Sequence, residues 1–169
     1  GGGAAPGGAS DQVIKAWQRI QHEAGIETEL GGNLAIGFSF HIADSEAKAI
    51  EEARPFFEEN MKMFAPLGFV RGLSDDQITA LGQGGAAARN AKLPTLEEAV
   101  ESGSWLVGTP ETITEKLLEV QDRYPGLKYV NVGQVVGTPE SVIVEQLSRF
   151  GREIMPKIKP GVLGTAAGS

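Results

Sequence analysis

Between Asn33 and Ile42 the character of the side chains changes at every step: Leu34, Ile36, Phe38, Phe40 and Ile42 alternate with Ala35, Gly37, Ser39 and His41. A period of two over this length belongs to a strand whose two faces meet different surroundings. A second extended run, Leu127 to Val136, is rich in valine and has the look of a buried parallel strand. The segments around both are helical in pattern, so the chain is predicted to be α/β, with parallel strands joined by helical crossovers. Two strands alone cannot make a stable buried sheet, because each leaves an unpaired edge. A (β/α)8 barrel takes about 250 residues and two βα units are roughly a quarter of one. The 169-residue chain is therefore read as the C-terminal part of a (β/α)8 TIM barrel: about two βα units, helix-rich, with parallel strands.

The helices carry their own signals. Asp11 to Ala24 puts Val13, Trp17, Ile20 and Ala24 on one stripe, with Gly25 placed to end the helix. Asp44 or Ser45 can cap a long helix running to about Ala65, with Ala47, Ile50, Phe57, Met61 and Phe64 on one face and Pro55 bending it. From 66 to 104 the periodicity weakens. Two capping boxes, Ser74 with Gln77 and Thr95 with Glu98, open short helices in an irregular excursion. The tetrapeptide Gly-Thr-Pro-Glu occurs at Gly108 to Glu111 and again at Gly137 to Glu140. Thr as cap, Pro at the first helical position and Glu at the positive helix end predict a helix start at each. The first helix turns Ile113, Leu117 and Val120 inward and the second Ile143, Leu147, Phe150 and Ile154.

The ends differ from the rest. Residues 1–10 and 160–169 are dominated by Gly, Ala, Ser and Pro, a composition that buries too little apolar surface to offset chain entropy, so both are predicted to be flexible tails flanking a domain at 11–159. The absence of cysteine rules out disulfides and thiolate metal sites and makes a cytoplasmic location the expectation. A formal charge of −7 with scattered Lys and Arg disfavours nucleic acid and anionic membranes. No apolar run approaches the ~20 residues that span a bilayer. Glu51, Glu52, Glu58 and Glu59 read as a solvated helix face, and no metal site is assigned. The glycines at Gly82, Gly84 and Gly85 lack the context of a phosphate loop.

Barrel strands turn bulky side chains outward to helices and a different set into the lumen. That logic sends Ala35, Gly37, Ser39 and His41, together with Tyr129, Asn131 and Gly133, inward. His41 lies nearest the C-terminal mouth, where barrel enzymes place their chemistry. A histidine there is otherwise satisfied by a carbonyl or water, and a buried Asn131 by local backbone.

Three stretches carry a resemblance. Trp105-Leu-Val-Gly-Thr-Pro-Glu-Thr-Ile, Lys128-Tyr-Val-Asn-Val-Gly-Gln and Leu147-Ser-Arg-Phe-Gly-Arg-Glu-Ile-Met-Pro together resemble the C-terminal end of luciferase-like flavin-dependent monooxygenases, including bacterial luciferase. Ala35-Ile-Gly-Phe-Ser-Phe-His-Ile-Ala-Asp and the Ala- and Glu-rich helix after it are similar to the family's seventh strand and helix. The resemblance implies that the helix at Asp11 matches the sixth barrel helix, Leu34 to Ile42 the seventh strand and Leu127 to Gln134 the eighth. It implies an oxidoreductase using reduced flavin, FMN or in some branches a deazaflavin, with O2 and a small organic substrate. Ser39, His41 and Asn131 are then the candidate cofactor-binding residues, and the excursion falls where the family carries a mobile loop able to act as a lid. Arg71, Arg89 and Lys92 on it are positioned to meet an anionic cofactor.

The family's first six strands, with its catalytic histidine, have no counterpart here. His41 does not inherit that role, no catalytic residue is assigned, and the chain is expected to be inactive alone. The alternative is a non-catalytic α/β interaction module that pairs its open strands with itself or a partner chain, as a homo- or hetero-oligomer. A shortened gene product without independent function is a third reading.

Overall fold

The computed structural model describes residues 9–67, 69–70 and 75–158. Both predicted tails fall mainly outside them, but Ala9 and Ser10 belong to the first helix rather than to a tail. That helix, α1 (Ala9–Glu23), leads to β1 (Ala35–Ile42) and the long α2 (Glu46–Phe64). The short helices α3 (Asp75–Gln83), α4 (Gly85–Asn90) and α5 (Leu96–Glu101) follow, then β2 (Trp105–Gly108) and α6 (Pro110–Arg123). The chain closes with β3 (Tyr129–Gly133) and α7 (Glu140–Arg149), which runs on as a π-helical turn, Phe150–Ile154, and a 3₁₀ turn, Met155–Lys157.

All three strands are parallel, in the order β2-β1-β3. The two strands predicted as neighbours pair directly, Ala35 with Tyr129 through Ser39 with Gly133. The third was not expected. Trp105–Gly108 pairs with Ser39–Ile42 of β1. It is four residues long, buried throughout and without alternation, so its sequence carries no period by which a strand could be recognised. Glu46 ties this region together. Its carboxylate accepts from the Thr109 backbone N–H (3.1 Å) and the Thr112 hydroxyl (2.5 Å), and at Gly108, with φ of +156°, a Cβ would lie 2.6 Å from it.

The bulky face of β1 does what its pattern requires. Phe38, Phe40 and Ile42 pack with Leu106 against Ile14 of α1, Ile113, Leu117 and Val120 of α6, and Phe150 and Ile154 beyond α7. The Phe40 and Phe150 rings lie 5.1 Å apart. Three helices thus seal one side of the sheet, as outer helices seal a barrel wall. Among the described residues the opposite face is covered only at the β2 end, where Ala49, Ala53, Phe57 and Met61 of α2 and Leu96 and Ala99 of α5 pack on Trp105 and Val107. Phe57 meets Trp105 edge-on at 5.2 Å. α2 and, within 66–104, α5 thus lie on the small-residue side of β1. The described part of 66–104 holds α3, α4 and α5, one short helix more than the two expected, and α4 starts at the glycines, where Gly84 and Gly85 have φ of +70° and +57°.

Local signals fared unevenly. Ser45 caps α2, Thr109 caps α6 with Pro110 behind it, and Thr95 with Glu98 forms a reciprocal capping box. Ser74 lies outside the described residues. The second Gly-Thr-Pro-Glu behaves differently: α7 begins at Glu140 behind Pro139 with no side-chain cap, and the Thr138 hydroxyl is buried without a partner. A turn from Val135 to Thr138, with Gly137 at φ +91°, draws Thr138 inward before the helix begins. On α1 the apolar stripe faces outward, with Val13, Trp17 and Ile20 exposed by 57%, 38% and 52%. The buried face is Asp11, Ile14 and Gln21. Asp11 accepts from the Tyr124 hydroxyl (2.9 Å) and from Lys15 (2.8 Å), and Gln21 binds the Gly32 carbonyl and Asn33. In α7, Leu147 is exposed and Gln146 takes the inward place assigned to it.

Candidate functional site

Paired residues of parallel strands share a face, so the register puts Gly37, Ser39 and His41 of β1 alongside Asn131 and Gly133 of β3. Two of these positions carry no side chain. A Cβ at Gly37 would find only the Asn131 carbonyl oxygen, 4.0 Å away, and one at Gly133 would meet nothing within 4 Å. Asn131 is exposed and Ser39 half-buried. The result is a polar strip of strand surface with little side-chain relief, exposed at Gly37 and Asn131 and increasingly buried toward His41.

At the C-terminal end of β1 the patch runs under α2. His41 is buried, 3% exposed, and its Nε2 donates to Glu52 of α2 at 3.0 Å. Glu52 is half-open to solvent and also faces Lys48, 3.8 Å away. Phe56 lies over the imidazole with ring centroids 6.1 Å apart. The other nitrogen, Nδ1, is buried with no hydrogen-bond partner. The histidine expected at an open barrel mouth is thus held by a carboxylate of α2, with one ring nitrogen unpartnered. The carboxylate fixes the ring's orientation and leaves Nδ1 as the polar atom a further group could engage.

The strand end beyond the patch is held by residues the sequence did not single out. β1 outruns β3 by three residues, Phe40 to Ile42, and glutamine side chains take the place of the missing strand. Gln134 donates to the Phe40 carbonyl at 2.9 Å. Gln146, 2% exposed, accepts from the Ile42 N–H at 2.6 Å and donates to its carbonyl at 3.0 Å. Arg149, whose guanidinium pKa is raised chiefly by its hydrogen bond to Glu153, also reaches the Ile42 carbonyl (3.4 Å) and Asp44 (3.0 Å). A polar residue on the apolar period of α7 was the only sequence signal for Gln146. Of the cations read on the excursion, only the Lys92 side chain belongs to the described residues. Arg71 and the Arg89 side chain lie outside the described residues, and Lys92 is exposed, its carbonyl accepting from Gln77. Among the described residues no cluster of His, Asp or Glu could hold a metal ion, and no helix is long and apolar enough to cross a membrane.

The family model for luciferase-like monooxygenase matches residues 2–125, from before α1 to the end of α6. The chain belongs to the luciferase-like monooxygenase family. Two solved structures share this fold with the family member described here. One is the oxygenating constituent of 3,6-diketocamphane monooxygenase, a type II Baeyer-Villiger monooxygenase from the CAM plasmid of Pseudomonas putida, in complex with FMN. It aligns with a TM-score of 0.59 and 18% identity over 88% of this chain and 40% of its own. The other, monooxygenase RslO1 from Streptomyces bottropensis, aligns with a TM-score of 0.55 and 14% identity over 86% of this chain and 37% of its own. The present luciferase-like chain therefore spans about two fifths of the length of these structures. No curated protein matches it.

Proposed function

We propose that this chain is the C-terminal part of a flavin-dependent, luciferase-like monooxygenase barrel, an oxidoreductase using reduced flavin and O2 on an organic substrate. β1 and β3 would be neighbouring staves with α1, α6 and α7 outside them. The polar face of those strands would then look into the barrel, and the excursion at 66–104 would stand at its mouth as a lid. The observation that carries this reading is the flat patch itself. Packing leaves Gly37 and Gly133 free to hold side chains, whereas a planar ring lying against the strands would exclude them.

The residues present suit FMN or a related flavin. Asn131 and Ser39 offer polar groups along the patch and His41 an unpartnered ring nitrogen at its end. Reduced flavin, when bound, would supply the electrons that activate O2. The chain's own part would be to carry one wall of the site, to orient His41 through Glu52, and to keep water out beneath α2. Completion by further staves supplies what this length cannot, so the chain alone is expected to bind flavin weakly and to turn over no substrate.

Titration of the chain with FMN, followed by quenching of flavin fluorescence, tests the reading. Gly37 and Gly133 do not have positive φ, so Gly37→Val and Gly133→Val add bulk without straining the backbone. Each should weaken FMN binding about tenfold or more, the equivalent of ~1.4 kcal/mol, with an unchanged circular dichroism spectrum. Equal quenching by wild type and both variants would remove flavin from this face.

A second reading, an interaction module that associates with itself or a partner chain, is favoured by two observations. β3 is an edge strand, and the Val13, Trp17 and Ile20 stripe of α1 is open. A solution mass of one chain at all concentrations speaks against self-association.

A further inference from the structure

One imidazole closes the loop between α1 and β1. His22 stands exposed in the last turn of α1, and its Nε2 lies 3.0 Å from the Thr28 carbonyl oxygen and 3.3 Å from the Thr28 backbone nitrogen. A single ring nitrogen cannot serve both groups at once. With a proton it donates to the carbonyl; without one it accepts from the N–H.

The surroundings decide which bond the neutral ring makes. The Thr28 carbonyl already accepts from the Gln18 side chain at 2.9 Å, whereas the Thr28 N–H has no other acceptor among the described residues. An N–H left unpaired is the costlier omission, so the neutral ring carries its proton on Nδ1 and takes the Thr28 N–H at Nε2. Protonation reverses this. Nε2 then donates to the carbonyl, the Glu27 carboxylate at 3.8 Å and the negative end of the α1 dipole favour the new charge, and the Thr28 N–H is released. The other charged groups of the elements meeting here are Arg19 and Glu23 on α1, paired with each other at 3.9 Å, Glu29 on the loop, and Asp122, Arg123 and Lys128 on the segment joining α6 to β3.

The chain on either side is fixed. The Ile26 N–H binds the Gln21 carbonyl (2.9 Å), and the Leu30 carbonyl accepts from the Gly126 N–H (2.9 Å). Only Glu27 to Glu29 is therefore left to respond.

From one ring nitrogen set between the donor and the acceptor of the same residue, we infer that His22 and Thr28 form a proton-sensitive clasp. Proton uptake by His22, in the range of about pH 5–8 where imidazoles titrate, exchanges one hydrogen bond for another and loosens the loop at Glu27 and Thr28. The clasp lies at the end of α1, away from the strip of β1 and β3, and rests on neither reading of the function.

Titration of the full 169-residue chain across that range, followed by magnetic resonance of the His22 ring and the Thr28 amide, tests this. Both should move with one midpoint. Protection of the Thr28 amide against exchange, corrected for the intrinsic rate, should fall about three- to tenfold from the neutral to the protonated form, the worth of one hydrogen bond. His22→Gln should remove the step at Thr28, and Glu27→Gln should keep it with a midpoint at lower pH, because an attractive charge is lost. A Thr28 amide that does not follow the His22 ring overturns the inference. So does a step that persists in His22→Gln or vanishes in Glu27→Gln.

Discussion

The two faces of β1 and β3 are built from the same strands and have opposite fates. One presents Phe38, Phe40, Ile42, Val130 and Val132 to three helices and merges into the core. The other presents Gly37, Ser39, Asn131 and Gly133, and among the described residues meets helix only where His41 and Trp105 lie under α2. Burial of the first accounts for why the chain folds, since apolar area removed from water is the main favourable term. The second contributes little to that balance. Residues that fold the chain and residues free to serve another purpose are thus separated by the period of a strand, one position apart.

Substitutions can break or sharpen this contrast. The largest effect is expected from Phe40→Ala on the sealed face. Phe40 is 1% exposed and packed on Phe150, and its truncation should cost about 3–5 kcal/mol in denaturant unfolding. A loss below about 1 kcal/mol would mean that the sealed face is not the core.

Next comes Tyr124→Phe, which leaves the buried Asp11 carboxylate one donor short and should cost about 1.5–3 kcal/mol. Burial first, and then the hydrogen bond to Asp11, raise the Tyr124 hydroxyl pKa above its ordinary 10.0. The folded chain therefore holds this proton more tightly than the unfolded one. Its stabilising share is complete below about pH 10 and is lost as pH rises through the higher folded value. Stability measured from neutral to strongly alkaline pH should fall more steeply in wild type than in Tyr124→Phe; parallel curves would contradict the assignment.

Gln146→Leu probes the join between the faces at the strand end. It strands the Ile42 N–H, while the carbonyl keeps Arg149, so a cost of about 1–3 kcal/mol is expected. Amide exchange at Ile42 should rise with it; unchanged protection there would show that the glutamine does not stand in for a strand. The smallest effect belongs to the open face. Asn131→Ala should change stability by less than about 0.5 kcal/mol, and a loss comparable to that of Phe40→Ala would erase the contrast altogether.

Much of this architecture was written in local pattern. The alternation from Leu34 to Ile42 announced β1 and assigned its two faces, Thr109 with Pro110 marked the start of α6, and Thr95 with Glu98 that of α5. Those signals act over one strand or one helical turn, where a chain needs only its neighbours. Other features depended on distant partners. Trp105–Gly108 became a strand because β1 offered an edge. Thr138 turned inward instead of capping, and the apolar stripe of α1 stayed outside because Asp11 found the Tyr124 hydroxyl far along the chain.

The candidate site divides the same way. Composition and period by themselves placed Ser39, His41 and Asn131 on the small-residue face, since side-chain direction along a strand follows from its pleat. Only tertiary structure decided that Glu52 would hold His41, that α2 would shelter it, and that Gln146 and Arg149 would finish the strand end. These contacts join elements whose separation in sequence says nothing of their distance in space, and a buried polar group takes whichever partner the packing of those elements brings within reach.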